Sequence, residues 1–313
     1  MGYGLALSGG GVRGAAHVGV LRALLEERLM PEMAAGASAG AIVTGLLAAG
    51  VSVEEMEGAV RHLSGKGKSY LDPDYRAMAE LAPRLLADGE ISLAGLFKGD
   101  RLAAYFTELT KGRHLDQAVL PFVIPAVDLN SGDTVAFTNA EMPAPLAHVK
   151  WEWEGFLGQV MMASSSVPGV FVPRKIGACR LVDGGVTDNL PVDLLQAAGA
   201  RRVLAVDVGT AYKRPKDDSV LEVLSCSFSL MGRRLKDCGI CCGALVLNPP
   251  AEAAKGLLDM EAMEGIMEAG YAYARSRMGE IRAFVESRIP PGSGTSAPGF
   301  GRMLPAPGGI TPP

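Results

Sequence analysis

Residues 33–53 read MAAGASAGAIVTGLLAAGVSV, and this uncharged stretch decides the fold. At its centre, Gly36-Ala37-Ser38-Ala39-Gly40 fits G-x-S-x-G, a sharp strand-to-helix turn that holds a serine hydroxyl above a sheet. The same letters fit G-x-x-x-G, the small-residue face on which transmembrane helices pair. A buried Ala/Gly-rich helix without chemistry is a third interpretation. The rest of the chain has to distinguish them.

The composition of the stretch disfavours a membrane span. A spanning helix needs about 20 predominantly apolar residues, whereas most residues here are alanine and glycine. Each of its four interior glycines weakens a helix by about 1 kcal/mol relative to alanine. Acidic residues, not basic ones, border the segment. We therefore expect a strand that ends near Ala35, a tight turn at Ser38, and a buried helix over 39–49 that Gly50 caps.

The whole chain has the composition of a globular protein with glycine-rich turns. Its 313 residues include 40 glycines and 20 prolines and carry a net charge of −4, and the mean hydropathy is +0.20. A chain this apolar buries a core instead of remaining disordered. The small negative charge leaves no basic footprint, which argues against nucleic acid as a partner.

The N-terminal residues and the cysteines indicate a reducing compartment. MGYGLALSGGGVRG does not fit a signal peptide, and Ala6 breaks the myristoylation pattern. The odd number of cysteines, five, favours reduced thiols in a cytosol. Cys238, Cys241 and Cys242 lack a second ligand pair, so we expect a turn there and neither a metal nor another cofactor.

A glycine loop precedes the serine turn by about 25 residues. Leu5-Ala6-Leu7 predicts a strand, residues 9–14 (GGGVRG) a loop, and the residues after them an apolar-faced helix. Backbone N–H groups at such a helix start hold either a phosphate or the oxyanion of a tetrahedral intermediate. Arg13 either supports this anion site or is solvated. His17 lies on the apolar helix face, so we expect a packed core histidine and not a general base.

Later strands supply a carboxylate. Phe122–Asp128 predicts a buried strand, and residues 134–138 its hairpin return. Residues 180–183 predict a short strand that ends at Asp183, and a helix and another strand follow. Repeated strand–helix units predict a parallel, doubly wound sheet. Catalytic groups gather at the carboxyl ends of such strands, where we place Ser38 and Asp183.

Two other stretches carry open interpretations. Residues 161–171 form a helix end and an apolar turn, which we expect to line an acyl-chain pocket. The Trp151–Glu154 patch is an interfacial anchor, a lid edge or ordinary packing.

Four motifs in this order resemble the patatin-like phospholipase family, in its small bacterial form. They are GGGVRG at 9–14, GASAG at 36–40, SSVPGVF at 165–171 and DGG at 183–185. The resemblance covers about residues 4–275. It implies an α/β fold of three layers, with a mostly parallel central sheet flanked by helices. It also implies a Ser-Asp dyad without histidine, in which Ser38 is the nucleophile and Asp183 the proton acceptor. Gly9, Gly10, Gly11 and Arg13 match the oxyanion loop.

The expected protein is thus an acyl hydrolase domain over residues 1–285 with a disordered Gly/Pro-rich tail over 286–313. The resemblance implies phospholipid or lysophospholipid esters as substrates and a cytoplasmic protein with peripheral membrane contact. A general carboxylesterase or thioesterase, or a non-catalytic phosphate- or nucleotide-binding module, are the alternatives. An aspartate of ordinary pKa, near 4, is a weak base for a serine, so the mechanism requires an unusual site around Asp183.

Overall fold

The computed structural model describes residues 2–76, 79, 94–209, 244–254 and 256–287, together with a few positions between 223 and 234. The described strands are β1 (Gly4–Leu7), β2 (Met33–Gly36), β3 (Gly95–Phe97), β4 (Phe122–Asp128), β5 (Thr134–Thr138), β6 (Val149–Glu152), β7 (Gly169–Phe171), β8 (Arg174–Ile176), β9 (Cys179–Asp183), β10 (Val203–Val206) and β11 (Ala244–Leu247). The described α-helices are α1 (Ala15–Glu26), α2 (Ala39–Ala48), α3 (Val53–Lys66), α4 (Asp100–Leu109), α5 (Leu157–Ser164), α6 (Val192–Ala197), α7 (Met263–Ser276) and α8 (Met278–Glu286).

The central sheet is mostly parallel, as the sequence predicted. Its main path runs β11-β10-β1-β2-β4-β5-β6, and β9 and β8 branch from β4. Within the run β11-β10-β1-β2-β4, each strand is parallel to the next. β5 returns antiparallel to β4, which confirms the predicted hairpin. β9 is a further antiparallel strand of this mostly parallel sheet, because it pairs antiparallel with β4.

Helices cover both faces of the sheet, so the molecule has three layers. Leu5 and Leu7 face one core with α1, α2 and α7, while Ala6 faces a second, smaller core with α6. This alternation follows the two-residue period of a strand. The second face is lined by alanines of neighbouring strands, including Ala35 and Ala205. Such small side chains let the short helix α6 approach the sheet closely.

Strand β4 brings two strand ends together along one of its edges. β2 pairs with the start of β4, Ala34 opposite Phe122 and Ala35 opposite Val123. β9 pairs with the end of β4, Asp183 lying opposite Ala126. β5 occupies the other edge of β4, so β2 and β9 share a single edge and run in opposite directions. Their carboxyl ends therefore meet head-on beside the middle of β4.

The tryptophan patch lies away from this meeting point. β6 is parallel to β5, and β5 runs opposite to β4. The carboxyl end of β6 therefore points in the direction opposite to the carboxyl end of β4. Trp153 follows β6 there and donates its indole N–H to the Ala140 carbonyl at 2.8 Å. This position does not support a lid edge over Ser38.

Two expectations fall on other parts of the chain. The cysteine cluster at 238–242 and residues 288–313 of the expected tail lie outside the described residues. Glu286, which we expected in the tail, is instead the last residue of α8. Among the helices that the structure describes, none combines the length and the apolar character needed to cross a bilayer.

Candidate active site

Ser38 occupies a strained turn between β2 and α2. Its backbone has φ 53° and ψ −120°, a conformation that side-chain-bearing residues rarely adopt. The flanking glycines explain the motif, because a methyl group at Gly36 would overlap the Gly40 carbonyl and one at Gly40 would overlap the Leu7 carbonyl. The turn therefore has the geometry of a nucleophile elbow, and its glycines permit a close backbone approach within one molecule.

Three consecutive serines at the end of α5 hold this turn and the partner strand. Ser164 Oγ accepts from the Ser38 N–H at 3.2 Å and donates to the Pro125 carbonyl at 2.6 Å. Ser165 Oγ donates to the Ser38 carbonyl at 3.0 Å. The Ser166 carbonyl accepts from the Asp183 N–H at 2.9 Å. One helix end thus sets the position of both Ser38 and Asp183.

Sequence reasoning assigned this serine run to a pocket wall and missed its clamping role. A signal was available, because serines at a helix end commonly bond to nearby backbone groups. That signal does not identify the partners of the serines. Ser38, for example, lies more than 100 positions earlier in the chain.

Asp183 is a buried carboxylate with one unpaired oxygen. Its exposed fraction is 5%, and Oδ1 accepts from the Gly185 N–H at 2.7 Å. Burial raises the pKa of Asp183 to about 7, and hydrogen bonding from the Ser38 hydroxyl and from Gly185 opposes the rise. Oδ2 makes no hydrogen bond to a described residue, while the Ser38 hydroxyl is close enough to the carboxyl to oppose the rise in its pKa. Catalytic hydrogen bonds often tighten only when substrate binds.

The glycine loop runs beside the same turn. A Cβ at Gly9 would lie 3.0 Å from Ser38 Cβ, so the loop backbone touches the elbow. The Gly9 N–H donates to the Asn189 carbonyl at 3.0 Å and is not available to a ligand. The N–H groups of Gly10 and Gly11 make no hydrogen bond to another described residue, and Gly11 has a φ of 59° that favours glycine.

Arg13 ties the loop to itself. Its Nε donates to the Gly10 carbonyl at 3.1 Å. Burial lowers the pKa of Arg13, and the nearby Asp207 carboxylate opposes this effect. The side chain is half-buried, so of the two interpretations the structure supports a cation within the loop and not a solvated one.

His17 is a packed core histidine, as expected. It is 0% exposed, and its Nε2 lies 2.9 Å from the Ser8 carbonyl. It lies beneath the loop and does not reach the surface at which a substrate would meet Ser38.

Asn189 is a second residue that the sequence argument left out. Besides accepting from Gly9, it places its side-chain Oδ1 against two glycines, 2.5 Å from a Cβ built at Gly9 and 2.7 Å from one built at Gly185. It therefore packs between the glycine loop and the turn that follows Asp183. No periodicity in the sequence signals this contact.

Together these groups have the parts that nucleophilic acyl transfer requires. A serine on a strained turn faces a carboxylate of raised pKa, and unpaired backbone amides lie in the adjacent loop. The phosphate-binding interpretation of the loop loses support, since the Gly9 and Val12 amides are already bonded within the protein.

Comparison with known proteins gives one family. The model of the family "Patatin-like phospholipase" matches residues 5–195. The lysophospholipase NTE1 of Mycosarcoma maydis is 30% identical over 212 residues, which are 67% of this chain and 10% of that protein. An uncharacterised NTE family protein of Mycobacterium tuberculosis is 28% identical over 215 residues, 69% of this chain and 51% of that protein. The chain spans about half of the length of the mycobacterial relative and much less of the fungal one.

Solved structures show weaker likenesses. VipD from Legionella pneumophila has a TM-score of 0.46 at 14% identity, covering 89% of this chain and 67% of that chain. The ExoU–SpcU complex of Pseudomonas aeruginosa has a TM-score of 0.42 at 16% identity, covering 91% and 52%. Because both scores are low, the description of the fold depends on the strand order of this chain alone.

Proposed function

We propose that this chain, which belongs to the patatin-like phospholipase family, hydrolyses carboxylic esters of phospholipids or lysophospholipids through a Ser38–Asp183 dyad. The observation that carries the proposal is the head-on meeting of β2 and β9, which points the elbow serine at a buried carboxylate. Relatives named as lysophospholipases support the substrate class.

In the proposed reaction, Ser38 Oγ attacks the ester carbonyl carbon while Asp183 takes the hydroxyl proton on its unpaired Oδ2. The tetrahedral intermediate collapses to an acyl-enzyme, and Asp183 returns the proton to the leaving alcohol. Asp183 then takes a proton from water as the water oxygen attacks the acyl-enzyme carbonyl, and it gives this proton to Ser38 Oγ when the bond to the acyl group breaks and the fatty acid leaves. No metal or cofactor enters these steps.

The environment of Asp183 answers the objection that aspartate is too weak a base. A general base works best when its pKa is near the working pH. Burial raises the pKa of Asp183 to about 7, whereas an exposed aspartate has a pKa of about 4. The dry site thus makes the carboxylate about as basic as a free imidazole.

The oxyanion would be received by the N–H groups of Gly10 and Gly11, since the Gly9 amide is engaged with Asn189. A donor of this kind typically contributes about 3 kcal/mol to transition-state stabilisation. Gly9 and Arg13 belong to the same loop but act by position: Gly9 permits the close contact with Ser38, and Arg13 holds the Gly10 carbonyl.

The proposal includes a cytoplasmic location. It also includes peripheral membrane contact, because esters of this class reside in bilayers. A short-chain carboxylesterase or thioesterase would use the same dyad with a shorter acyl site. These two are distinguished by the substrate test below.

Fluorophosphonate labelling tests the nucleophile. Wild-type protein should be modified covalently, and Ser38→Ala should abolish the modification. Ser276→Ala removes an exposed hydroxyl at the end of α7 and should label like the wild type. Labelling that persists in Ser38→Ala, or a wild type that stays unlabelled and binds ATP or NAD tightly, would overturn the proposal.

Substrate comparison then assigns the class. The kcat/KM for fatty-acid release from lysophosphatidylcholine micelles should exceed that for hydrolysis of a short-chain nitrophenyl ester. Equal or lower kcat/KM on the lysophospholipid would favour the general esterase.

A further inference from the structure

The imidazole of His17 lies directly behind the glycine loop, on the first turn of α1. It is completely buried. Nε2 lies 2.9 Å from the Ser8 carbonyl, and because a carbonyl only accepts, Nε2 carries the hydrogen. Nδ1 is buried without a hydrogen-bond partner among the described residues.

This arrangement is costly for a residue that only fills space. A buried polar atom left without a partner costs about 1–3 kcal/mol. A leucine at this position would pack against the same neighbours without that penalty. Burial lowers the pKa of His17 to about 4, so the imidazole is neutral near pH 7 and its one hydrogen bond is the feature that a leucine would lose.

Ser8, whose carbonyl accepts that bond, makes three further hydrogen bonds. Its N–H donates to the Val206 carbonyl at 3.0 Å. Its Oγ accepts from the Val208 N–H at 2.9 Å and donates to the Gly9 carbonyl at 3.1 Å. Ser8 is the last residue before the loop, and His17 is the third residue of the helix after it, so the bond between them closes the loop at its base.

We propose that the His17–Ser8 bond is a clasp that holds the Gly10 and Gly11 amides in donor position, and that His17 is a positioning residue of the hydrolase. The inference rests on the proposed function, because it assigns those amides to the oxyanion. The clasp fixes the start of the loop through Ser8 and its end through α1. The N–H groups that make no bond of their own are then oriented by the bonded residues on either side. His17 does not touch substrate, because no part of it is exposed.

Three substitutions at position 17 separate the effect of the hydrogen-bond donor from the effect of side-chain size. His17→Gln keeps an N–H near the place of Nε2, His17→Asn is polar but too short to reach Ser8, and His17→Leu is apolar and of similar size. We expect kcat to fall about tenfold or more in the Leu and Asn variants, with KM changed less than about twofold, because a misplaced donor acts on the transition state. His17→Gln should recover most of kcat.

A matched control comes from the same helix. Val20 is also fully buried in α1, and Val20→Ala should lower Tm while leaving kcat unchanged at temperatures below unfolding. A merely structural role for His17 would make its variants behave like this control. The inference is also wrong if His17→Gln loses as much kcat as His17→Asn, or if His17→Leu keeps wild-type kcat.

Amide hydrogen exchange of the peptide over residues 8–17 gives a readout that needs no activity. Exchange should be faster in the Leu and Asn variants and near wild type in the Gln variant. If the wild type neither labels nor hydrolyses esters, the proposed function fails, and this exchange pattern alone still decides whether the clasp orders the loop. Should the Leu variant not fold, the Gln and Asn pair gives the same decision.

Discussion

Asp183→Asn should abolish ester hydrolysis and at the same time stabilise the protein, increasingly so as the pH rises. Asparagine has nearly the same shape but carries no charge. In the wild type, burial raises the pKa of Asp183 to about 7, whereas the unfolded chain has an aspartate pKa of about 4. The fold therefore binds a proton that the unfolded chain releases between these values, so stability falls as the pH rises through this window.

The size of the effect follows from the same two values. Each pH unit between a pKa of about 4 and a pKa of about 7 removes about 1.4 kcal/mol, so the complete loss is about 4 kcal/mol. Near pH 5 about 1.5 kcal/mol of this loss is already present, and by pH 8 nearly all of it. The free energy of unfolding of Asp183→Asn, relative to wild type, should thus increase by about 2.5 kcal/mol between pH 5 and pH 8.

Urea unfolding of both proteins at several pH values measures this difference. Asp128→Asn is a matched control with the opposite electrostatics. Burial alone would raise the pKa of Asp128, but hydrogen bonds from the N–H groups of Arg180 and Asn130 and from the Ser131 hydroxyl outweigh it, and the net pKa is lowered. The Asp128 carboxylate therefore stabilises the fold fully at pH values above the unfolded-state pKa of about 4, and this stabilisation is lost only as the pH falls below that value.

Asp128→Asn should therefore be less stable than wild type by an amount that does not change between pH 5 and pH 8. A pH-independent difference for Asp183→Asn, or a loss of stability at pH 8, would refute the conclusion that Asp183 is held in a dry site.

Three further predictions concern the elbow and its base. The kcat/KM of the wild type should rise about tenfold per pH unit below a pKa of about 7 and level off above it, since only the ionised Asp183 accepts the proton; a flat profile from pH 5 to 8 in stopped assays would contradict this role. Gly40→Ala should lose about 3 kcal/mol in thermal unfolding because its methyl overlaps the Leu7 carbonyl, whereas Gly58→Ala on α3, with nothing within 4 Å, should gain up to about 1 kcal/mol. Ser164→Ala should slow fluorophosphonate labelling about tenfold while the far-UV spectrum stays native, because the Ser38 N–H and the Pro125 carbonyl lose their shared partner.

The elbow was predictable because its requirements are local. A strand, a turn too tight for side chains at Gly36 and Gly40, and a buried helix leave their marks on neighbouring positions. The predicted bounds of β4 and β5 agree with the structure for the same reason, since a buried run, a turn and a returning run follow one another. Each of these signals is contained within about 20 residues of chain.

The meeting of Ser38 and Asp183 was predictable only through the family resemblance. Asp183 is the last residue of an antiparallel strand, so the rule for the carboxyl ends of parallel strands does not explain its position. What joins the two residues is the sharing of one edge of β4 between β2 and β9, and strand pairing across such separations has no local pattern. The bonds of Ser164 to Ser38 and of Asn189 to Gly9 are long-range in the same way.

Burial accounts both for an Asp183 basic enough for the proposed role without a histidine and for a His17 that is not a base. Removing water disfavours the charged form of any group, so the same effect raises the pKa of Asp183 to about 7 and lowers that of His17 to about 4. The carboxylate thereby acquires the basicity that an imidazole has in water, while the imidazole loses it. A histidine inserted between Ser38 and Asp183 would restore a charged partner for the carboxylate and lower its pKa. The proposed dyad and the predicted loss of stability at high pH thus both depend on the same dry site.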